Sequence, residues 1–342
     1  MTTFPHMTRR SALMSALGAI SGVTISPMML GSAAHAAEKI NIVNTSGTSG
    51  MTLQALMKSQ GFLEQMGVDA NFVNVADASR LMGSILSGES DISTSAGFAQ
   101  VLPAIEKGGK MKIIAGAQMV SVHAVYSKKP EIKSVKDLEG KTIGTGAPGA
   151  LLHTLMVAVL RKYGVDESKV TFVNVGGNQD VFRAVIAGTV DAGPSEVDFF
   201  YKQKEYGVHS LVDGELWKEL PLFTFQAAYT SDEAIAKKRD AIVKTLAAFA
   251  KLYRFADGPN ALDAFSAART VATGKEDRHE AEVQWNFNRE YHSYATDVVM
   301  MEERINYMQE LNKSLCVQKT IMPFDKVCDM SMARDAIKMI GG

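Results

Sequence analysis

The chain has 342 residues, with 36 Lys and Arg against 37 Asp and Glu and a formal net charge of −1. That balance offers no basic footprint for nucleic acid or an anionic membrane, and the length exceeds what a single core usually serves and suits two lobes. Cys316 and Cys328 leave either one disulfide or two unpaired thiols open. The five histidines beyond residue 36 are scattered, so metal catalysis has little support.

In chain order, Thr8-Arg9-Arg10-Ser11-Ala12-Leu13 precedes a modestly apolar stretch to about Leu30 and the small-residue site Ala34-His35-Ala36, a pattern that predicts an export signal cut after Ala36. The paired arginines resemble a twin-arginine signal; Ala12 and Met14 depart from it and keep ordinary secretory export open. Cutting there leaves 306 residues and a charge of −3. No later apolar run approaches the roughly 20 residues that span a bilayer. Lys39–Asn44 reads as a strand, Met51–Met66 as a helix, Asn71–Val75 as a strand, Ala78–Ser87 as a helix, Ile92–Ser93 as a short strand and Phe98–Lys107 as a helix. Met111–Val125 reads as extended.

Strands then recur at Thr142–Thr145, Val170–Val175 and Val190–Ala192, with helices at Leu151–Tyr163 and Asp180–Ala187. From Asp232 the pattern is almost entirely helical, with segments at Ile235–Phe255, Pro259–Ala272 and Glu276–Ser293; this tail is expected to pack back on the first lobe. The two halves repeat one another. Phe72-Val73-Asn74-Val75 followed by Gly88-x-x-Asp91 returns 100 residues later as Phe172-Val173-Asn174-Val175 and Gly188-x-x-Asp191. Gly67-Val68-Asp69 and Gly164-Val165-Asp166 precede the two copies. A period this long is no solenoid unit; it predicts two α/β lobes, each with a mostly parallel sheet, and a cleft between them.

In such sheets ligands bind outside the carboxyl ends of the strands. The loops so placed are Thr45-Ser46-Gly47-Thr48-Ser49-Gly50 and Thr94-Ser95-Ala96-Gly97 in the first lobe. In the second they are Gly144 to Ala150 and Gly193-Pro194-Ser195-Glu196. Small residues admit a ligand to the backbone, and free amides at helix N-termini favour an anion. Gly144-x-Gly146-x-x-Gly149 also satisfies the dinucleotide fingerprint, but the acid expected at the end of the next strand is missing: Val175 is followed by Gly176-Gly177-Asn178. An exported dinucleotide-dependent oxidoreductase using Gly144, Gly146 and Gly149 is the alternative reading. No Gly-x-Ser-x-Gly elbow and no nucleophile beside a base appear.

Arg80 to Asp91 and Asp180 to Asp191, Ala99-Gln100 to Gly108, Lys112-Ile113-Ile114-Ala115 and Val135-Lys136-Asp137-Leu138-Glu139-Gly140-Lys141 resemble the ABC-transporter substrate-binding proteins of the nitrate, sulfonate and taurine group. That group also includes binders of thiamine-type pyrimidine precursors, and the resemblance covers about Lys39 to Ala228. It implies an α/β, two-lobed type II periplasmic binding fold with a helical C-terminal extension, crossovers near Ala117–Val122 and Thr224–Ala228, a periplasmic location, a monomer, no cofactor, no enzymatic activity and an ABC permease as partner. The lobes would be 37–119 with 226–342, and 120–225. Matching loops carry the family's ligand contacts to Ser46, Gly47, Thr48, Ser95, Gln118, Ala147, Gly149 and Ser195. Position alone adds Thr45, Ala96, Gly146, Pro148, Ala150 and Glu196. Arg80 offers a charge-assisted contact to an anion or is a solvated arginine at a helix start; Arg183 reads as surface. Phe98, Phe199 and Phe225 either flank a ring or belong to the core. The expected ligand is a small organic anion: a sulfonate, a carboxylate or a heterocycle.

Overall fold

The computed structural model describes residues 37–341; the expected export signal at 1–36 lies outside them. Chain order begins β1 (Glu38–Thr45), a helix Thr48–Gln60, β2 (Val68–Val75), a helix Ala78–Leu86, β3 (Ile92–Ala96), a short helix Val101–Glu106 and β4 (Met111–Gly116). The chain then crosses over to β5 (His123–Ser127), β6 (Thr142–Thr145), a helix Leu151–Lys162, β7 (Thr171–Asn174), a helix Asn178–Ala187, β8 (Ala192–Glu196) and β9 (His209–Glu215). It returns as β10 (Ala227–Ser231) and continues in helices, among them Asp232–Asp257, Leu262–Thr273, Arg278–Glu290, Glu302–Ser314 and Ser331–Met339.

The strands form two five-stranded sheets of one topology, β2-β1-β3-β10-β4 and β7-β6-β8-β5-β9. In each, the first three strands pair in parallel, and the fourth is antiparallel to both its neighbours. Four strands of each sheet thus run one way, and the strand entered after a crossover, β10 or β5, runs the other. The expected extended run Met111–Val125 is in fact β4, a crossover and the start of β5.

The repeat has a structural basis. Asp91 Oδ2 accepts from the Asn41 amide at 2.7 Å, and the Asp91 amide donates to the Asn41 carbonyl at 2.9 Å. In the second copy Asp191 Oδ2 accepts from the Thr142 amide at 2.7 Å, and its own amide donates to the Thr142 carbonyl at 2.8 Å. Each Gly-x-x-Asp motif therefore ends a helix on a left-handed glycine (Gly88 at φ 76°, Gly188 at φ 72°) and pins the incoming strand to its parallel neighbour, β1 at Asn41 and β6 at Thr142.

Two strands run three or four residues past their expected C-terminal ends. β3 continues past Ser93 to Ala96, and β8 continues past Ala192 to Glu196. The added residues, Thr94-Ser95-Ala96 and Gly193-Pro194-Ser195-Glu196, are small or polar, with Thr94 the one β-branched residue among them. The strands extend because an antiparallel partner runs beside each, Ala227 opposite Ala96 and His123 opposite Glu196.

The C-terminal helices serve both lobes, not the first alone. Asp232–Asp257 and Ser331–Met339 pack on one another beside the first sheet. Helix Arg278–Glu290 instead inserts Phe287 into the second lobe's apolar cluster, edge-on to Trp217 at 5.0 Å between ring centres. Arg269, buried in helix Leu262–Thr273, reaches Asp198 at 2.7 Å, Gln284 at 2.6 Å and Glu280 at 3.3 Å, joining the turn after β8 to these helices.

Candidate functional site: an interlobe cavity

A cavity of about 400 Å³ lies between the lobes, lined from both by strand ends and helix starts. Helix Thr48–Gln60 from the first lobe begins at it, after Gly47 in extended conformation, with no side chain capping its first amides. Helix Leu151–Lys162 from the second lobe begins at it after Ala150, likewise without a side-chain cap. Each helix start thus leaves backbone N–H groups without an intrahelical partner, carrying partial positive charge. By contrast, the helix starting at Ala78 is capped by Asp77, whose carboxylate accepts from the Arg80 amide at 3.0 Å.

Strand β3 reaches the cavity through Ser95, which is held by Asn44. The buried Asn44 Oδ1 accepts from Ser93 Oγ and from the Thr94 and Ser95 amides, each at 3.1 Å, while its Nδ2 donates to Thr94 Oγ1 at 3.0 Å. The side chain replaces ladder bonds where β1 and β3 diverge beyond their single pairing at Ile42 and Ile92. Asn44 is a positioning residue that the sequence reading passed over as ordinary strand.

In the second lobe, Ser195 Oγ donates to the Asn178 carbonyl at 2.8 Å and fixes the start of helix Asn178–Ala187. Asn178 Nδ2 in turn donates to Glu196 Oε1 at 2.7 Å. Burial pushes the Glu196 carboxyl up to about 7; the Asp198 charge adds to this, and the Asn178 hydrogen bond and Arg269 oppose it. Gly193 is required by close approach: a Cβ there would stand 2.5 Å from Val181 Cγ1 and 2.8 Å from the Gly144 carbonyl oxygen.

Of the residues singled out from sequence, Thr45, Gly47, Thr48, Ser95, Gly149, Ala150 and Glu196 line the cavity. Ser46, Ala96, Gly146, Ala147, Pro148 and Ser195 do not line it. Ser46 Oγ turns to the Val75 carbonyl, and Ala96 is buried in the sheet. Gln118 is buried in the crossover, where it accepts from the cavity-lining Ser49 at 3.4 Å and donates to Asn288 at 3.5 Å. Arg80 is also off the cavity, with its side chain 74% exposed beside Asp77. Arg183 is exposed beside Asp180. Phe98 and Phe225 line the cavity, whereas Phe199 stacks on Phe182 at 4.0 Å in the second lobe's apolar cluster.

Residues missed from sequence include Asn178, Thr224, Gln226, Phe223 and Met308. The first came after a loop already set aside as lacking an acid; the others arrive from the second crossover and from helix Glu302–Ser314, whose nearness to the cleft no local pattern records. Where the fingerprint reading needs an acid, β7 ends at Asn174, and Asp180, farther on, accepts from the Gly177 amide and pairs with Arg183. Cys316 is an exposed and Cys328 a buried free thiol.

Comparison with known proteins places this geometry among relatives. The family model described as NMT1/THI5 like matches residues 51–258, more than half of the chain. The YtlA protein of Bacillus subtilis (strain 168) is 25% identical over 287 residues, covering 81% of this chain and 83% of that protein. Among solved structures, the periplasmic aliphatic sulphonate binding protein SsuA from Escherichia coli superposes with a TM-score of 0.70 at 16% identity, covering 86% of this chain and 92% of its own. The periplasmic nitrate-binding protein NrtA from Synechocystis PCC 6803 does so with a TM-score of 0.68 at 12% identity, covering 89% of each chain. The fold is also that of the desulfurization enzyme DSZB (TM-score 0.62, 12% identity, covering 89% of this chain and 99% of that one), so chemistry must be read from the site.

Proposed function

The chain belongs to the NMT1/THI5-like family, and we propose that it is the periplasmic solute-binding component of an ABC importer, capturing a small solute with an acidic group between its lobes. The observation that carries this is the pair of uncapped helix starts, Thr48–Ser49–Gly50 and Leu151 with its successors, brought to one cavity from opposite lobes. Neither helix alone makes a site; together they put two sets of unpaired amides around a single volume, a setting suited to a carboxylate or sulfonate. The solved neighbours named for sulphonate and nitrate binding support the same ligand charge.

Binding without chemistry fits the lining. Among the described residues, no hydroxyl facing the cavity hydrogen-bonds a histidine or a carboxylate: Ser49 turns to Gln118 and Thr154 to the Gly149 carbonyl. In this reading residues 1–36 direct export, 37–119 with 226–342 make one lobe, 120–225 make the other, and a membrane permease receives the closed form. The test is a thermal-shift screen of the exported chain against aliphatic and aromatic sulfonates and carboxylates. A ligand at 100 times its Kd should add about 2.7 kcal/mol of stability. Stabilisation by a nicotinamide dinucleotide with none from any acid would replace this reading with the oxidoreductase one.

A further inference from the structure

One wall of the cavity does not suit a simple anion. Glu196 lines it with a carboxylate that, among the described residues, has no lysine or arginine partner; the nearby Arg269 guanidinium is taken up by Asp198, Gln284 and Glu280. Asn178 uses its donor on Glu196 Oε1, which leaves Asn178 Oδ1, an acceptor, with the neighbouring His123 ring, whose own Nε2 is likewise buried and otherwise unpartnered. Two further cavity-lining side chains are buried with an unpartnered oxygen: Thr224 Oγ1, in a residue 1% exposed, and Gln226 Oε1, in one 7% exposed. Buried polar atoms without partners are costly, and their clustering in a binding cavity marks where a ligand completes them. Amide oxygens and an ionised Glu196 accept hydrogen bonds and cannot donate them, while the Thr224 hydroxyl does either. The group that completes them is therefore donor-rich and, against an unpaired carboxylate, positively charged.

We propose that the ligand is a zwitterion whose acidic end meets the amides at Thr48–Gly50 and Leu151, and whose protonated amine is held by Glu196, with Asn178 orienting that carboxylate. This rests on the solute-binding reading and narrows its ligand class. Phe98 and Phe225 line the same cavity, Phe225 with its ring edge-on to His123 at 5.4 Å. Asp198, Arg269, Tyr126 and His123 stand near Glu196. Asp198 is paired with Arg269, and Tyr126 donates to the Glu196 main-chain oxygen at 3.0 Å. His123, directly opposite on β5, is driven by burial to a pKa of about 4 and is neutral near pH 7.

The experiment is calorimetric titration of the exported chain with matched probes: 3-aminopropane-1-sulfonate against propane-1-sulfonate, 4-aminobutanoate against butanoate, and 4-(aminomethyl)benzoate against 4-methylbenzoate. The expected result is at least a tenfold preference for the amino member in one or more pairs. Glu196→Gln should reduce that preference to within about threefold by weakening the amino member, while the unaminated anion, relieved of a nearby carboxylate, binds at least as tightly as to wild type. Should that variant fold poorly, the wild-type preference should still fall as pH drops from 8 to 6 and Glu196 takes up a proton. Equal or tighter binding of the unaminated members, or a preference untouched by both Glu196→Gln and pH, overturns the zwitterion while the anion reading stands. No binding by any member of any pair overturns both.

Discussion

Asn44 shows how much of a cleft can depend on a side chain that never faces the ligand. Its carboxamide oxygen serves three donors of β3, so Asn44→Ala should strand the Thr94 and Ser95 amides and the Ser93 hydroxyl. We expect a loss on the order of 3 kcal/mol, visible in denaturant unfolding, together with weakened binding of any ligand found by screening. Unchanged stability would mean that water replaces the carboxamide. Glu196 makes a pH-dependent prediction. Its pKa is raised in the folded chain to about 7 from an ordinary value of 4.5. The ligand-free fold therefore has this residue's full contribution below about pH 4.5 and loses it as pH rises through 7. Glu196→Gln should raise the melting temperature of the ligand-free protein at pH 8 and leave it nearly unchanged at pH 4.5; the reverse pattern would refute the assignment. The sequence displayed Glu196 because it follows a strand at a repeated position. It hid Asn44, whose partners stand 49 to 51 residues away.

At the scale of elements, helices and hydrophobic strands were readable because local periodicity writes them, and the repeated Gly-x-x-Asp motif was readable because both copies solve one local problem. The polar ends of β3 and β8 were not, since tertiary pairing overrides their propensity. The bridging role of the C-terminal helices was also hidden, because the partners of Arg269 lie as far away as Asp198, 71 residues off. That guanidinium joins the turn after β8 to helices Leu262–Thr273 and Arg278–Glu290. Arg269→Ala should leave the buried Asp198 carboxylate without its guanidinium partner, while Glu280 keeps Lys202 at 3.1 Å, at a cost of about 3 to 5 kcal/mol. Because Asp198 is two residues from Glu196, the same change should also alter affinity for a cavity ligand. Melting curves and titrations of the variant would check both, and a variant as stable as wild type would show that the cluster contributes specificity alone.

The whole molecule is two sheets joined by crossovers that touch. The Gln226 amide donates to the Gln118 carbonyl at 2.9 Å and the Ala117 amide to the Gln226 carbonyl at 3.2 Å. A third segment lies alongside, with the Met119 amide donating to the Ser293 carbonyl and the Ala295 amide to the Ala117 carbonyl. Hinge closure needs φ/ψ change in only a few such residues. Ligand at saturation should reduce the radius of gyration measured by small-angle scattering; an unchanged value with calorimetrically proven binding would exclude closure. The two-lobed plan and the location of the cleft were legible in the repeat. The third hinge segment was not, for it comes from a tail that has no counterpart in the repeat.

The placing of β10 bears on how the protein is made. The second sheet draws all its strands from residues 123–215, whereas the first remains split between β3 and β4 until residues 227–231 fill the gap. A ribosome delivering the chain from its N-terminus produces the first lobe's strands earliest, yet leaves two of their edges unpaired throughout synthesis of the entire second lobe. Unpaired edges are templates for wrong pairing. The lobe begun first is thus the last to be finished, and the interval in which the nascent chain is most vulnerable is set by the length of the other lobe.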